Sequence, residues 1–265
     1  MNVNNLSHFI SIILLIIINQ PTFADENTDN KELAIHHFMQ GEFLLNQGNY
    51  ALAVLEFQDA LDIDPNASTI HISIADAYRR LGRSKHAENH LQIAIDLDPE
   101  ELSSREMLGH LHLINRRYKE AEKEFLILSN LDGSNDNYIV TLADLAKLQE
   151  KWSLSVDYYL KAFELNPQNL KALENALQVC LGAELFKRAE IICLKLAQND
   201  SSNISYWKTY KQITAYNKNY DHTFDAINEI ERIEGTSVKL LMEKSAIKQE
   251  QDNNEEAIKY LLEAF

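Results

Sequence analysis

The sequence is short of glycine, proline and cysteine, and each shortage excludes a class of protein. There are 7 Gly and 4 Pro in 265 residues, far below the average usage of roughly 7% and 5%. A β-sandwich or barrel needs many turns rich in these two residues, so the composition favours a mostly helical fold. Two cysteines are too few for a disulfide framework or a structural zinc site.

Basic residues are also scarce relative to acidic ones. With 25 Lys+Arg and 40 Asp+Glu, the formal net charge is −15. A surface of this sign repels phosphate backbones and anionic lipid, which argues against nucleic acid and against a membrane surface as partners. The hydrophobic fraction of 45% is that of an ordinary globular protein.

One long apolar run lies near the N-terminus. Residues 9–18 are almost entirely Ile, Leu and Phe, and Thr22 and Ala24 are small residues at the two positions that a signal peptidase inspects. The run is shorter than the roughly 17–25 residues of a spanning helix. We therefore predict a signal peptide over residues 1–24, a short polar leader over residues 25–33, export to the periplasm or the cell exterior, and no spanning segment in the mature chain. Because no Lys or Arg precedes the run, an uncleaved N-terminal anchor is the alternative.

A period of 34 residues runs through the rest of the chain. One column at this spacing holds alanine in five blocks, serine in one and threonine in one: Ala53, Ala87, Ala121, Ser155, Ala189, Thr223 and Ala257. A second column, mostly aromatic, lies three residues before it: Tyr50, Ser84, Tyr118, Trp152, Phe186, Tyr220 and Asn254. In the second block Ile70, Ile74 and Tyr78 recur at helical spacing, Gly82 interrupts, and Ala87 resumes the pattern, which predicts two antiparallel helices in each block.

These columns resemble the tetratricopeptide repeat family, whose 34-residue unit has small residues at its eighth, twentieth and twenty-seventh positions and proline near its end. The first block matches with Gly41, Ala53, Ala60 and Pro65. The resemblance implies an all-α fold, a right-handed superhelical solenoid of about seven helix-turn-helix repeats over residues 34–265. The predicted repeats are 34–67, 68–101, 102–135, 136–169, 170–203, 204–237 and 238–265. Two blocks depart from the pattern, because Leu177 and Lys211 stand where a small residue is expected.

The resemblance also implies that the first helix of each pair lines a concave groove. We expect a partner to contact groove positions of the first three blocks: Phe38, Met39, Glu42, Leu45, Ile72, Arg79, Arg80, Met107, His110, Leu113 and Ile114. The apolar members of this set would hold an apolar segment, and the charged members would orient it. The later blocks place more polar residues at the same positions.

No catalytic motif is present in the sequence, and we predict no cofactor, no metal site and no enzymatic activity. His86 and His90 lie four residues apart, a spacing that can hold one metal ion, but a solvated helix face gives the same pattern. Cys180 and Cys193 are predicted on the two helices of the fifth block. Buried free thiols are favoured there over a disulfide.

An exported repeat array without a catalytic centre is typical of an interaction scaffold or assembly factor of the cell envelope, with a protein or peptide partner in its groove. This interpretation follows from the resemblance. The alternatives are the N-terminal repeat region of a larger enzyme, such as a glycosyltransferase, and a metal- or redox-responsive periplasmic protein. The last block stops at Phe265 without a polar capping helix, so we also expect either a truncated sequence or self-association through that block.

Overall fold

The computed structural model describes the backbone of residues 23–265 and the side chains of residues 30–265. Within this part of the chain there are fourteen helices and no strand: α1 Phe23–Asn46, α2 Tyr50–Ile63, α3 Ser68–Arg80, α4 Ser84–Leu97, α5 Leu102–Ile114, α6 Tyr118–Leu131, α7 Asp136–Leu148, α8 Trp152–Leu165, α9 Leu170–Gly182, α10 Phe186–Asn199, α11 Ile204–Tyr216, α12 Tyr220–Glu234, α13 Val238–Glu250 and α14 Asn254–Ala264. The predicted signal peptide, residues 1–24, lies almost wholly outside the described residues. The predicted leader, residues 25–33, lies within α1.

The helices form pairs with a constant spacing. The second helix of each pair begins in the mostly aromatic column of the sequence, and consecutive starts lie 34 residues apart: Tyr50, Ser84, Tyr118, Trp152, Phe186, Tyr220 and Asn254. Three residues separate the two helices of every pair, a connection short enough to fold them into an antiparallel hairpin. The predicted all-α repeat fold is therefore confirmed.

The middle residue of each three-residue turn adopts the left-handed conformation. Its φ is positive in every repeat: Gly48 82°, Gly82 72°, Arg116 58°, Glu150 58°, Glu184 56°, Lys218 57° and Asp252 57°. The next amide then donates to a carbonyl five residues earlier, as Arg83 does to Tyr78 at 2.8 Å, which closes the end of the first helix. Glycine adopts this conformation without steric cost, whereas the other five residues carry a Cβ atom there.

Gly82→Ala should lower the free energy of unfolding by about 1 kcal/mol, because the left-handed conformation costs an L-residue ~1–2 kcal/mol. A Cβ atom at Gly82 would meet nothing within 4 Å, so the backbone alone opposes the change. Gly182→Ala is the matched control, since its Cβ atom would also meet nothing and its φ is an ordinary helical one. Urea unfolding should show Gly182→Ala to be neutral or stabilising. Equal losses of unfolding free energy for the two variants would contradict the left-handed conformation assigned to Gly82.

The boundaries after the first five repeats keep one backbone conformation whether or not a proline follows, whereas the boundary after the sixth has Gly235 at a φ of 87°. Asp64 and Asp98 precede prolines and have φ of −125° and −137°. Asp200 precedes Ser201 and has φ of −129°. The extended conformation that proline imposes on its predecessor is thus retained in a repeat that lacks the proline.

Internal contacts divide the chain into two compact units, one ending at Leu111 and the other beginning at His112. The first unit packs α1 to α4 and most of α5 around one apolar core, in which Phe57, Ile74 and Leu91 are fully buried. Among the described residues, no helix is both long and apolar enough to cross a membrane.

The second unit packs its helices around buried aromatic and aliphatic side chains. Tyr159, Leu173 and Ile192 lie in its core. The two larger residues that stand in the small-residue column are accommodated in different ways. Leu177 is buried, whereas the Lys211 ammonium lies 2.6 Å from a carboxylate oxygen of Glu243 on α13.

Candidate partner-binding surface

One stripe of α1 faces the core, and it includes a residue that the sequence analysis placed in the groove. Ala34, Gly41 and Leu45 are buried, and their spacing of seven and four residues puts them on one side of the helix. Leu45 is 8% exposed and belongs to the core of the first unit. Its predicted role as a partner contact is wrong, because the side chain fills the space between the helices.

A second stripe of α1 is exposed. Ile35 and Met39 are 49% and 65% exposed, and Glu42 continues the same side of the helix. Ser73 of α3 donates a hydrogen bond of 2.6 Å to Glu42 Oε1, which places the first helices of two consecutive repeats side by side. We call six exposed or partly exposed side chains of these two helices the α1–α3 face: Ile35, Met39, Glu42, Ile72, Arg79 and Arg80.

Asp76 fixes both arginines of the α1–α3 face. Arg79 Nε donates to Asp76 Oδ1 at 3.0 Å, and Arg80 Nε donates to Asp76 Oδ2 at 2.8 Å. Burial would raise the pKa of Asp76, but the hydrogen bonds from Arg80 and Arg79 outweigh burial and hold that pKa below its usual value. Both guanidinium groups remain partly exposed, so their other N–H groups can reach a bound carbonyl or carboxylate.

Phe38 and Met107 are half-buried and pack against the core of the first unit. The Phe38 ring lies 5.9 Å from the Phe57 ring, centroid to centroid. Phe38 also lines a cleft of about 450 Å³ together with Ile35, Ile63 and other residues of the first two repeats. These two side chains support the fold as well as the surface, so their substitution would test stability and binding at once.

The remaining predicted contacts lie along α5. His110 is about half exposed, and its Nε2 lies 3.9 Å from a carboxylate oxygen of Glu106. Leu113 is half-buried and Ile114 is 67% exposed, but both lie beyond Leu111, in the second unit.

In the second unit, the polar residues at the groove positions pair with one another. Lys171 and Glu174 form an ion pair of 3.0 Å, and Tyr206 donates to the other oxygen of Glu174 at 2.8 Å. Lys208 lies 2.6 Å from a carboxylate oxygen of Glu234. These groups satisfy one another and present little apolar surface.

The histidine pair that the sequence singled out lies on one side of α4, where the rings of His86 and His90 are 5.0 and 5.7 Å from the Tyr78 ring, centroid to centroid. His90 Nδ1 lies 3.0 Å from Nδ1 of His71, and its ring stacks on Tyr78. Burial, and next the neighbouring His71 and His86, lower the pKa of His90 to about 4. His90 is therefore neutral at physiological pH.

Cys180 and Cys193 are free, buried thiols. Burial raises the pKa of Cys180 to about 11 and that of Cys193 to about 12. Thiols in this state are protonated at neutral pH and react slowly with oxidants or metals.

Comparison with known proteins gives a family and partial relatives. The sequence model of the tetratricopeptide repeat family matches residues 28–68 and 72–129. Protein O-mannosyl-transferase F38B6.6 of Caenorhabditis elegans is 37% identical over 91 residues, which are 34% of this chain and 13% of that protein. DnaJ homolog subfamily C member 3 of Rattus norvegicus is 29% identical over 147 residues, which are 55% of this chain and 29% of that protein. The chain thus spans less than a third of the length of these curated relatives.

Solved structures share the fold at low sequence identity. The MamA protein superposes with a TM-score of 0.56 at 16% identity, over 66% of this chain and 96% of that one. A tetratricopeptide repeat protein from Parabacteroides merdae gives a TM-score of 0.56 at 12% identity, over 88% of this chain and 92% of that one. The family match shows tetratricopeptide repeats over residues 28–68 and 72–129, and the 34-residue register of paired helices and the solved structures show that the rest of the described chain has the same fold.

Proposed function

We propose that the chain is a non-enzymatic interaction scaffold of the cell envelope that holds an apolar segment of a protein partner on its α1–α3 face. The observation that carries the proposal is the exposure of Ile35 and Met39 on α1, the helix that lies beside α3 and its fixed arginine pair. A helix face in contact with water alone is normally polar, whereas a repeat array uses first-helix side chains to bind partners. The apolar pair would supply affinity, and Glu42, Arg79 and Arg80 would orient the bound chain.

Replacing the two exposed apolar side chains should abolish most of this binding. Removing one aliphatic side chain from water contributes ~1.5–3 kcal/mol, and ~1.4 kcal/mol is a factor of ten in affinity. Ile35→Asp with Met39→Asp should therefore weaken binding at least tenfold. The probe is the set of peptides that the immobilised chain enriches from a phage-displayed library of random dodecamers, with affinities measured by fluorescence polarisation.

The matched control is Leu52→Asp with Leu55→Asp on α2. These leucines are 52% and 56% exposed, so the control removes about as much exposed apolar surface as the test variant does, but from α2. The control should bind the selected peptides as the unmodified chain does. Circular dichroism should give the same helix content for both variants. If the control loses as much affinity as the test variant, or the test variant loses none, the α1–α3 face is not the binding surface.

The location of this scaffold is part of the proposal. The apolar run over residues 9–18 and the small residues Thr22 and Ala24 support cleavage of a signal peptide before Asp25 and export to the periplasm or the cell exterior. The chain should appear in the periplasmic fraction of a Gram-negative host with Asp25 or a neighbouring residue at its N-terminus. Edman sequencing that returned Met1 would favour an uncleaved anchor.

A second candidate function is the N-terminal repeat region of a larger enzyme such as a glycosyltransferase. The observation in its favour is the 37% identity to protein O-mannosyl-transferase F38B6.6 over 91 residues. An antibody raised against the α1–α3 face separates the two candidates by the mass of the product in source cells. A band near or slightly below 30.5 kDa would support the scaffold, and a much larger band would support the enzyme.

A further inference from the structure

The first repeat brings a histidine and two carboxylates to one point between α1 and α2. His37 lies on α1, and Glu56 and Asp59 lie three residues apart on α2, which puts the two carboxylates on one face of that helix. One imidazole nitrogen and two carboxylate oxygens from this triad all lie within 4.8 Å of one another. We propose that His37, Glu56 and Asp59 bind one divalent transition-metal ion.

The distances in the triad are close to those of a metal site. His37 Nδ1 already lies 2.8 Å from Glu56 Oε2. Bonds of ~2.0–2.2 Å from zinc to nitrogen and oxygen put two ligand atoms of a tetrahedral ion about 3.4 Å apart. No two of the three ligand atoms lie more than 4.8 Å apart, so the widest gap has to close by at most about 1.4 Å. Asp59 is exposed, so its side chain has room to rotate toward the other two. Three protein ligands leave a coordination position for water.

The backbone that carries the ligands is held by the core. Glu56 is followed by the fully buried Phe57, and His37 is followed by Phe38, which packs on Phe57. The ligands thus project from two helices that a buried aromatic contact fixes relative to each other. A rigid scaffold keeps the ligand set together before the ion arrives, which reduces the entropic cost of binding.

The charge around the triad favours a cation. The first repeat, residues 34–67, contains five Asp and Glu and no Lys or Arg, so the repeat itself supplies no ammonium or guanidinium group to compete for the carboxylates. A carboxylate oxygen can only accept, so the Nδ1–H group of His37 donates a hydrogen bond to Glu56. A bound metal ion takes the place of that proton, which is released to solvent.

One imidazole and two carboxylates suit zinc and its neighbours in the first transition row, whereas magnesium and calcium prefer oxygen ligands alone. The equivalent positions of the second repeat, 34 residues on, are His71 and His90, whose Nδ1 atoms lie 3.0 Å apart. That pair offers two ligand atoms and is largely buried. It is the natural competitor for zinc in this unit and has to be tested alongside the triad.

Zinc binding by the untagged 265-residue chain tests the proposal. Calorimetric titration with ZnCl2 should show one site that binds zinc more tightly than any other. Zinc should also raise the melting temperature. MgCl2 should neither bind at this site nor change the melting temperature. His37→Gln and Asp59→Asn should each weaken this site at least ~10-fold, because loss even of a partner outside the ligand set commonly costs 10–100-fold in affinity. His37 and Glu56 are partly exposed, so circular dichroism should show the variants folded.

Two control variants decide where zinc binds. His36→Gln removes an exposed histidine next to the triad, and His90→Gln removes half of the competing pair. Both should keep the affinity and the rise in melting temperature. The proposal is overturned if His37→Gln binds zinc as tightly as the unmodified chain, if His90→Gln removes the site, or if His36→Gln weakens it as much as His37→Gln does.

Discussion

Replacing Gly41 with alanine should destabilise the first unit by about 1–2 kcal/mol, because an overpacking cost near the upper end of ~1–3 kcal/mol is only partly offset by the better helix propensity of alanine. A Cβ atom at Gly41 would lie 2.5 Å from both Cδ1 and Cε1 of Phe57, whereas carbon atoms in contact prefer about 3.5–4.0 Å. Phe57 is fully buried and its ring packs on Phe38, so it can move only by displacing other core side chains. The overpacking cost should therefore exceed the ~1 kcal/mol that alanine gains over glycine in a helix.

A double-mutant cycle identifies the contact that causes this loss. Phe57→Leu shortens the side chain that Gly41→Ala would strike, so the double variant should lose less stability than the two single variants together. Gly182→Ala adds the same methyl group where no atom lies within 4 Å, and it should cause no loss. Urea unfolding provides the free energies. Strict additivity of Gly41→Ala and Phe57→Leu would exclude the contact as the cause.

The sequence places Gly41 at a small-residue position of the repeat but does not identify the residue that packs against it. Small residues recurring every 34 positions indicate where two helix axes approach closely. The atom that comes closest belongs to Phe57, which is sixteen residues away in the sequence, and its identity depends on how the two helices are rotated about their axes. A repeat pattern fixes that a contact exists, whereas packing fixes which atoms make it.

The helical period alone places Leu45 in the core rather than in the groove. Leu45 lies four residues after Gly41, and residues four apart share a helix face. Because Gly41 must face α2 for the helices to approach, Leu45 has to face it too. Met39 lies two residues before Gly41, about 200° around the helix, which places it on the exposed side. The family's position numbers placed Leu45 in the groove, but the helical period places it in the core.

The histidine contacts also join two helices, so the spacing along one helix does not reveal them. Spacing along a single helix groups His86 with His90, and the structure adds two contacts between helices, His71 with His90 and His37 with Glu56. Both observed pairs are separated by 19 residues and are related by the 34-residue period. A comparison of first-helix and second-helix columns across repeats would have brought these residues together.

Lys244 is the most deeply buried cation that the structure describes, and removing its counter-ion should cost about 3 kcal/mol. The residue is 6% exposed, and its ammonium pairs with the carboxylate of Glu231 on α12. The ammonium also lies 5.6 Å from the ring centroids of Phe224 and Tyr260. Glu231→Gln leaves this charge buried without a partner ion, a change that costs ~3–5 kcal/mol in fully buried pairs. Because Glu231 is partly exposed, the lower end of that range applies.

Removing the cation instead should be much less costly. Lys244→Met fills a similar volume beside the two aromatic rings and leaves Glu231 free to turn to water, so the loss should stay below about 1.5 kcal/mol. The double variant should be close to Lys244→Met alone, since no buried charge remains in either. Urea unfolding of the three variants measures the free energy of unfolding of each and so ranks their losses of stability. Equal losses for Glu231→Gln and Lys244→Met would show that the ammonium does not depend on this carboxylate.

The same pair predicts how stability changes in acid. The hydrogen bond from Lys244 holds the pKa of Glu231 below its usual value, which is about 4.3 in an unfolded chain. A carboxyl whose pKa is lower in the folded state stabilises that state above the unfolded pKa, and the stabilisation is lost as the pH falls through the folded pKa. The unmodified chain should therefore lose this contribution below about pH 4.3, whereas Glu231→Gln should have none to lose. The difference in unfolding free energy between the two should shrink from pH 7 toward pH 3, and a constant difference would exclude the carboxylate as its source.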